Sequence, residues 1–314
     1  PADRFGSAAE FGAALADERA QPHGRTAAQK HGTALPPYRP AALWASAVSG
    51  LVLGALGLFA GWQLRPQAEP PRPVHFTLAL PDSARYLDTF GRSVAVSPDG
   101  GTVVYTGGTA ARRQLFARRM DETEPTAIPG TDGAYMPFFS PDGAWLGFVT
   151  NQRLMKVRLS GAAAVPVTPL LGNTVAGATW GARDVIVLED VSGLARVSAS
   201  GGRLEVLLAG DSINRTAEWP TFLPGGDAVL CAVYRDDGTY RLALVTVPGG
   251  RLTVFDSLEG SDPRFVPPST VMWLSREGVM LAAPFDVRRG RFTGQAGPAL
   301  ESVVEEGGAG NVAI

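Results

Sequence analysis

From residue 74 onward, short runs of Val, Leu, Phe and Tyr alternate with turns built from Gly, Pro and Asp. No long 3.6-residue periodicity runs through this stretch, so the pattern predicts an all-β region of short strands. Residues 134–170 show the plan. Phe138-Phe139 reads as a short inner strand, followed by strands over Ala144–Val149, Arg153–Leu159 and Ala164–Thr168. The run Val229–Val233 is almost wholly apolar, which predicts a strand covered on both faces.

The pattern upstream is different. Residues 41–62 are 22 residues without a charge, and as a helix they would span about 33 Å, enough for a bilayer core of roughly 30 Å. Trp44 and Trp62 stand near the ends of this predicted transmembrane helix. Arg25, Lys30 and Arg39 precede it and Arg65 and Arg72 follow, a bias that places the N-terminal side in the cytoplasm. Ser46, Gly50, Gly54, Gly57 and Gly61 fall on one face of that helix. Such a stripe of small residues predicts close packing of two helices, hence a homodimer. Residues 1–18 predict a short amphipathic helix, with Ser7 as N-cap, Glu10 completing a capping box and Ala8, Phe11, Ala14 and Leu15 on one face. Residues 19–40 are polar and aperiodic, a juxtamembrane linker ending in Pro36-Pro37 and Pro40.

A repeat organises the β region. Ser97-Pro98-Asp99-Gly100 returns as Ser140-Pro141-Asp142-Gly143, 43 residues later. Weaker copies stand at Trp180–Asp184, Phe222–Asp227 and Phe265–Ser269. Proline suits the first central position of a turn, aspartate can bond its own backbone, and glycine tolerates positive φ. A period of roughly 40–45 residues with four short strands marks the blades of a β-propeller. Five blades are visible between about residues 90 and 304. The strand Val74–Leu80 has no partner within its own repeat. The expectation is therefore a six-bladed ring in a longer parent, closed by Val74–Leu80, with the propeller of residues 74–314 incomplete at its C-terminus.

Two resemblances follow from these residues. Residues 90–314 resemble the TolB family, whose WD40-like repeats are built around an aromatic residue followed by Ser-Pro-Asp-Gly. Residues 1–15 resemble the end of a bacterial serine/threonine protein kinase domain, at Pro1, Arg4, Phe5, Ser7, Ala8, Glu10 and Phe11. The resemblance gives Arg4 a structural role, pairing with the buried glutamate that closes the activation segment. Kinase end, linker, single membrane helix and TolB-like propeller, in that order, resemble a bacterial receptor kinase. The Arg-to-Lys ratio of 26 to 2 resembles proteins of GC-rich bacteria with that layout. The resemblance implies a parent that phosphorylates Ser/Thr of proteins with ATP and Mg. The chain itself shows no Gly-rich nucleotide loop, catalytic-loop Asp and Asn, or Asp-Phe-Gly, so it is expected to hold no catalytic residue and no cofactor.

Composition narrows the classes. Gly and Pro make up about a fifth of the 314 residues, and a hydrophobic content of 45% excludes general disorder. A net charge of −2 gives no support to nucleic-acid binding. One cysteine, Cys231, excludes an internal disulfide framework, and three scattered histidines argue against a metal centre. Asp99 and Asp142 could suggest calcium ligands, but their place in Pro-Asp-Gly turns favours backbone capping. No Gly-x-Ser-x-Gly elbow is present.

The reading that joins these features is the transmembrane and extracytoplasmic sensor portion of a receptor kinase. It sits in the bacterial inner membrane, crossing once, with an unidentified extracytoplasmic ligand or protein partner. The alternative is a membrane-anchored TolB-like binding or scaffold propeller without catalysis. A peptidase-linked propeller is a third option, and it requires a hydrolase domain downstream of Ile314.

Overall fold

The computed structural model describes residues 80–300, apart from 88, 90, 110, 151, 162, 173–174 and 212–213, together with a strand pair at 305–306 and 309–310. Five antiparallel sheets follow one another along the chain, each a meander. Blade 1 is β1 (Val94–Val96), β2 (Thr102–Thr109), β3 (Arg112–Arg119) and β4 (Thr126–Ala127). Blade 2 is β5 (Tyr135–Phe139), β6 (Trp145–Thr150), β7 (Arg153–Arg158) and β8 (Val165–Pro169). Blade 3 is β9 (Ala178–Gly181), β10 (Val185–Asp190), β11 (Gly193–Ser198) and β12 (Glu205–Ala209). Blade 4 is β13 (Asn214–Phe222), β14 (Ala228–Arg235), β15 (Tyr240–Thr246) and β16 (Leu252–Glu259). Blade 5 is β17 (Ser261–Val266), β18 (Thr270–Leu274), β19 (Met280–Asp286), β20 (Arg291–Phe292) and β21 (Gly297–Leu300). From blade 1 to blade 5, the first strands of consecutive blades lie against one another, so β1, β5, β9, β13 and β17 are innermost.

Burial explains the polarity pattern. In β14, Val229, Cys231 and Val233 pack toward blade 3 with Val187 and Leu194, while Leu230 packs toward blade 5 with Trp273 and Phe285. Alternate residues thus serve two different cores, and the strand has no polar face to show. Each such side chain contributes roughly 1.5–3 kcal/mol through burial. Four apolar clusters of this kind join blade 1 to 2, 2 to 3, 3 to 4 and 4 to 5.

The far face of blade 1 is covered by the residues that precede it. Ala84, Tyr105 and Phe116 cluster with Leu80 and Tyr86. Tyr86 pairs with Gly107, and the Leu87 amide donates to the Thr106 carbonyl at 3.0 Å. The inner edge of blade 1 is therefore made in two pieces, and the loop between them carries Gly91 and Arg92. Among the described residues, no apolar cluster spans blade 5 to blade 1.

Three expectations are corrected here. The ring has five blades, not six. Blade 5 draws every strand from its own segment, and its outer position is already filled, because β20 and β21 both pair with β19. Leu80 is irregular and packs on blade 1, while residues 74–79 lie outside the described residues.

The membrane-crossing architecture is not supported either. Among the described residues no helix is long and apolar enough to cross a membrane, and the only helical element is the three-residue turn Asp82–Ala84. The helices expected over 1–18 and 41–62 lie outside the described residues, as do Arg4, Ser46, Gly50, Gly54, Gly57 and Gly61. Nothing in the fold supports the helix-mediated homodimer, the membrane anchor or the inner-membrane location.

Candidate functional site in the propeller channel

The repeat turns position the site. In blade 2 the Ser140 hydroxyl donates to Asp142 Oδ1 at 2.5 Å and accepts the Trp145 amide at 2.9 Å. Asp142 Oδ1 also accepts the Ala144 amide at 3.0 Å, and the Gly143 amide reaches the Ser140 carbonyl at 2.9 Å. Blade 1 repeats this. Ser97 donates to Asp99 at 2.5 Å and accepts the Thr102 amide at 2.9 Å, and the Gly100 amide bonds the Ser97 carbonyl at 2.8 Å. Gly100 and Gly143 take φ of 71° and 69°, which closes the turn. The serine hydroxyl bonds hold both aspartates below the ordinary carboxylate range. The carboxylates are thus committed to their own turns. Ser140 is 3% exposed, so Ser140→Ala is expected to lower stability by about 1–2 kcal/mol, measured by urea unfolding. A change within experimental error would show that the turn holds without its clamp.

These turns bring the ends of all five inner strands to one cavity of about 790 Å³. Its wall is apolar: Val94, Val96, Phe138, Phe139, Trp180, Phe222 and Phe265, with Pro98, Pro141, Pro224 and Pro267 on the turns. Two charged side chains line it, Arg92 and Arg264. Other carboxylates near the rim are occupied, as Asp227 pairs with Arg183.

Arg92 reaches across from blade 1. Its guanidinium contacts Asp262 Oδ1 at 2.6 Å from Nη2 and 2.8 Å from Nε. It also donates to the carbonyls of Trp219 and Pro220, each at 3.2 Å, and to Thr221 Oγ1 at 3.0 Å. Asp262 is fully buried, and its other oxygen receives Arg264 Nη2 at 2.7 Å. Burial pushes the Asp262 carboxyl up, but Arg264 and Arg92 outweigh it and hold the group below its ordinary value. Burial, against the pull of Asp262, lowers Arg92 to about 10, so Arg92 stays cationic at neutral pH. Gly91 makes the crossing possible: its φ is 82°, and a Cβ there would lie 2.6 Å from the Ala176 carbonyl oxygen of the loop before β9.

The sequence reading missed this triad. A signal was present four residues before each turn. Met136-Pro137, Trp219-Pro220 and Asp262-Pro263 share that place in blades 2, 4 and 5. The residue before proline takes φ of 55°, 50° and 48° respectively, and the pairing register shifts at each. A proline cannot donate to the ladder, so the strand kinks there.

Toward the start of the inner strands, the buried Glu218 of blade 4 lies near the half-buried Glu189 of blade 3. Glu189 Oε2 accepts the Ala176 amide at 2.8 Å. Glu218 accepts Thr216 Oγ1 at 2.7 Å and the Tyr240 hydroxyl at 3.0 Å. Burial, with Glu218 and Asp190 nearby, pushes Glu189 up to about 8. Burial raises Glu218 as well, and Tyr240 is raised by burial and the Glu218 charge. Among the described residues no group of three or more His, Cys, Asp or Glu could hold a metal ion. Cys231 is fully buried, and burial pushes its thiol up to about 12.

No family model matches this sequence, and no curated protein does. The fold does have solved counterparts. TolB from Acinetobacter baumannii is similar with a TM-score of 0.53 at 19% identity, over 64% of this chain and 52% of that one. An Agrobacterium tumefaciens protein described as TolB gives 0.47 at 16%, over 54% and 65%. A puromycin-hydrolyzing peptidase from Mycobacterium tuberculosis gives 0.48 at 16%, over 68% and 38%. The chain thus spans about half the length of the Acinetobacter TolB. At this identity the likeness is one of fold alone, a β-propeller, which in this chain has five blades.

The kinase reading does not stand. No family model and no curated protein links this chain to a kinase or a transferase, and a structural counterpart that shows the fold is TolB from Acinetobacter baumannii. The expected ATP and Mg belonged to that reading alone. The seven positions that carried the resemblance lie in residues 1–15, outside the described residues. The findings favour the binding-propeller alternative.

Proposed function

We propose that this chain is a binding propeller that seats a segment of a protein partner in the mouth of its channel. The observation that carries this is the cavity itself. All five inner strands contribute to it, its volume of about 790 Å³ suits a peptide segment, and its wall offers partly exposed aromatic rings. Aromatic walls with rigid proline turns suit an extended chain, because such a surface loses little side-chain freedom on binding.

The test uses Ala182, which is exposed and lines the mouth. Peptides selected from a random displayed library on the wild-type chain are expected to bind Ala182→Trp roughly tenfold more weakly or worse. The melting temperature should stay unchanged. Peptides that bind both proteins equally would place recognition elsewhere and defeat the reading.

A further inference from the structure

We infer that the propeller carries a second site, between blades 1 and 2, which binds a free α-amino acid as its zwitterion. It shares no residue with the channel mouth and stands independently of the peptide reading. Three observations lead to it.

The first is composition. Where β2 turns into β3 and the chain enters β5, a cavity of about 520 Å³ is lined by Arg112 and Arg113 on one side and Asp132 on the other. Both signs of charge therefore face one small space.

The second is that these charges do not neutralise each other. The Arg113 guanidinium donates from Nη2 to the Gly133 carbonyl at 3.0 Å, and its carbon lies 5.0 Å from the centre of the Tyr135 ring. The ion pairs of β3 and the turn after it join Arg119 to Asp121 and Glu122, and none joins Arg112 or Arg113 to Asp132. A lone anion in this cavity would meet the Asp132 carboxylate, and a lone cation would meet the guanidinium groups. A molecule with one charge of each sign satisfies both sides.

The third is rigidity. The Gly133 amide donates to the Arg113 carbonyl at 2.7 Å, so Arg113 grips Gly133 at both its amide and its carbonyl. The Ala134 amide reaches the Thr131 carbonyl at 3.0 Å, which closes a turn around Asp132. Thr131 is buried, donates its hydroxyl to the Ile128 carbonyl at 2.6 Å and accepts the Leu115 amide at 3.1 Å. The Asp132 carbonyl accepts the Thr150 hydroxyl at 3.1 Å. The exposed Asp132 carboxylate thus stands on a turn fixed from blades 1 and 2, one residue from the partner of Arg113. Such fixed groups lose little freedom when a ligand arrives.

The spacing decides what kind of zwitterion. A carboxylate and a guanidinium held one residue apart suit charges carried on a single carbon, as in a free amino acid. The ligand carboxylate meets the arginines, whose planar donors match it in pairs, and its ammonium meets Asp132. The remaining space is of small-molecule size and takes the side chain.

The experiment titrates each standard L-amino acid into the whole chain by isothermal calorimetry. At least one is expected to bind saturably with a Kd of about 10 mM or tighter. N-acetylation of that amino acid, which removes its positive charge, should weaken binding roughly tenfold or more. Converting its carboxylate to the amide should have an effect of the same size. Asp132→Asn should erase the difference between the amino acid and its N-acetyl form, and Arg112→Gln should reduce the difference between the amino acid and its amide. Both positions are exposed, so the melting temperatures should stay at the wild-type value.

No saturable binding of any standard amino acid up to about 10 mM would overturn the inference. So would an N-acetyl form that binds as well as its parent, which would mark a site for anions only. Undiminished binding in Asp132→Asn would overturn it as well, by placing the amino acid elsewhere on the propeller.

Discussion

Asp262→Ala is expected to destabilise the propeller by about 3–5 kcal/mol, a large part of the roughly 5–15 kcal/mol that holds a domain folded. The carboxylate is fully buried and answers two guanidinium groups, Arg92 at 2.6 Å and Arg264 at 2.7 Å. Removing it leaves two like charges facing each other in a place that water reaches poorly. It also loosens Arg92, the polar link from the blade 1 loop to the carbonyls of Trp219 and Pro220. Urea unfolding followed by tryptophan fluorescence measures the loss. A cost under about 1 kcal/mol would mean that the triad contributes no more than a surface pair. The effect has a pH signature. The Asp262 carboxyl lies below its ordinary value of 3.8, so its stabilisation is complete above that pH and fades as the solution becomes more acidic. The gap between wild type and variant should therefore be flat from neutrality to about pH 5 and close only below pH 3.8.

Glu189→Gln is expected to act in the opposite direction and stabilise the protein at pH 8. Burial, Glu218 and Asp190 raise the Glu189 carboxyl from an ordinary 4.5 to about 8. Between those values the folded chain holds a proton that the unfolded chain has released. Stability therefore falls as pH rises through that window, by about 1.4 kcal/mol per pH unit at most. Summed to pH 8 the difference is on the order of 4 kcal/mol. The groups facing Glu189 are Glu218 on β13 and Asp190 on its own strand, with the Tyr240 hydroxyl reaching it through Glu218. None of these is a cation. Glutamine keeps an oxygen for the Ala176 amide and carries no charge. Melting temperatures of wild type and variant should coincide near pH 4 and diverge as pH rises. Parallel curves from pH 4 to 8 would show that Glu189 titrates normally.

The sequence shows the repeat plainly because its signal is local. Ser140-Pro141-Asp142-Gly143 closes on itself through bonds spanning five residues or fewer, so spacing alone reveals both the turn and the period. Strand positions follow for the same reason: Trp145–Thr150 and Arg153–Arg158 lie within a residue or so of the alternation read from the chain. Arg92 is a different matter. Its partners are 127 to 171 residues away, and nothing beside it in the chain distinguishes it from any other surface arginine. The kinks at Met136, Trp219 and Asp262 fall between these cases. Their X-Pro pairs recur at one place in the repeat, but the residues before proline differ in chemistry, so alignment on the turn was needed to show them. Blade number failed for a further reason. Five repeats are legible in the chain, and a sixth blade was inferred only from the run Val74–Leu80, which has no partner within its own repeat.

Among the described residues each blade is built from one stretch of chain, the last one included, and no strand is lent across the junction between blades 5 and 1. The boundary of a repeat in the polypeptide is therefore also a boundary in space. A stretch of coding sequence for one blade could be duplicated or deleted at such a boundary without stranding half a sheet. The ring would need only a new polar tie of the Arg92 kind to hold its first and last members. In this architecture, blade count is open to change by recombination, and the residue that must adapt with it is a single long side chain.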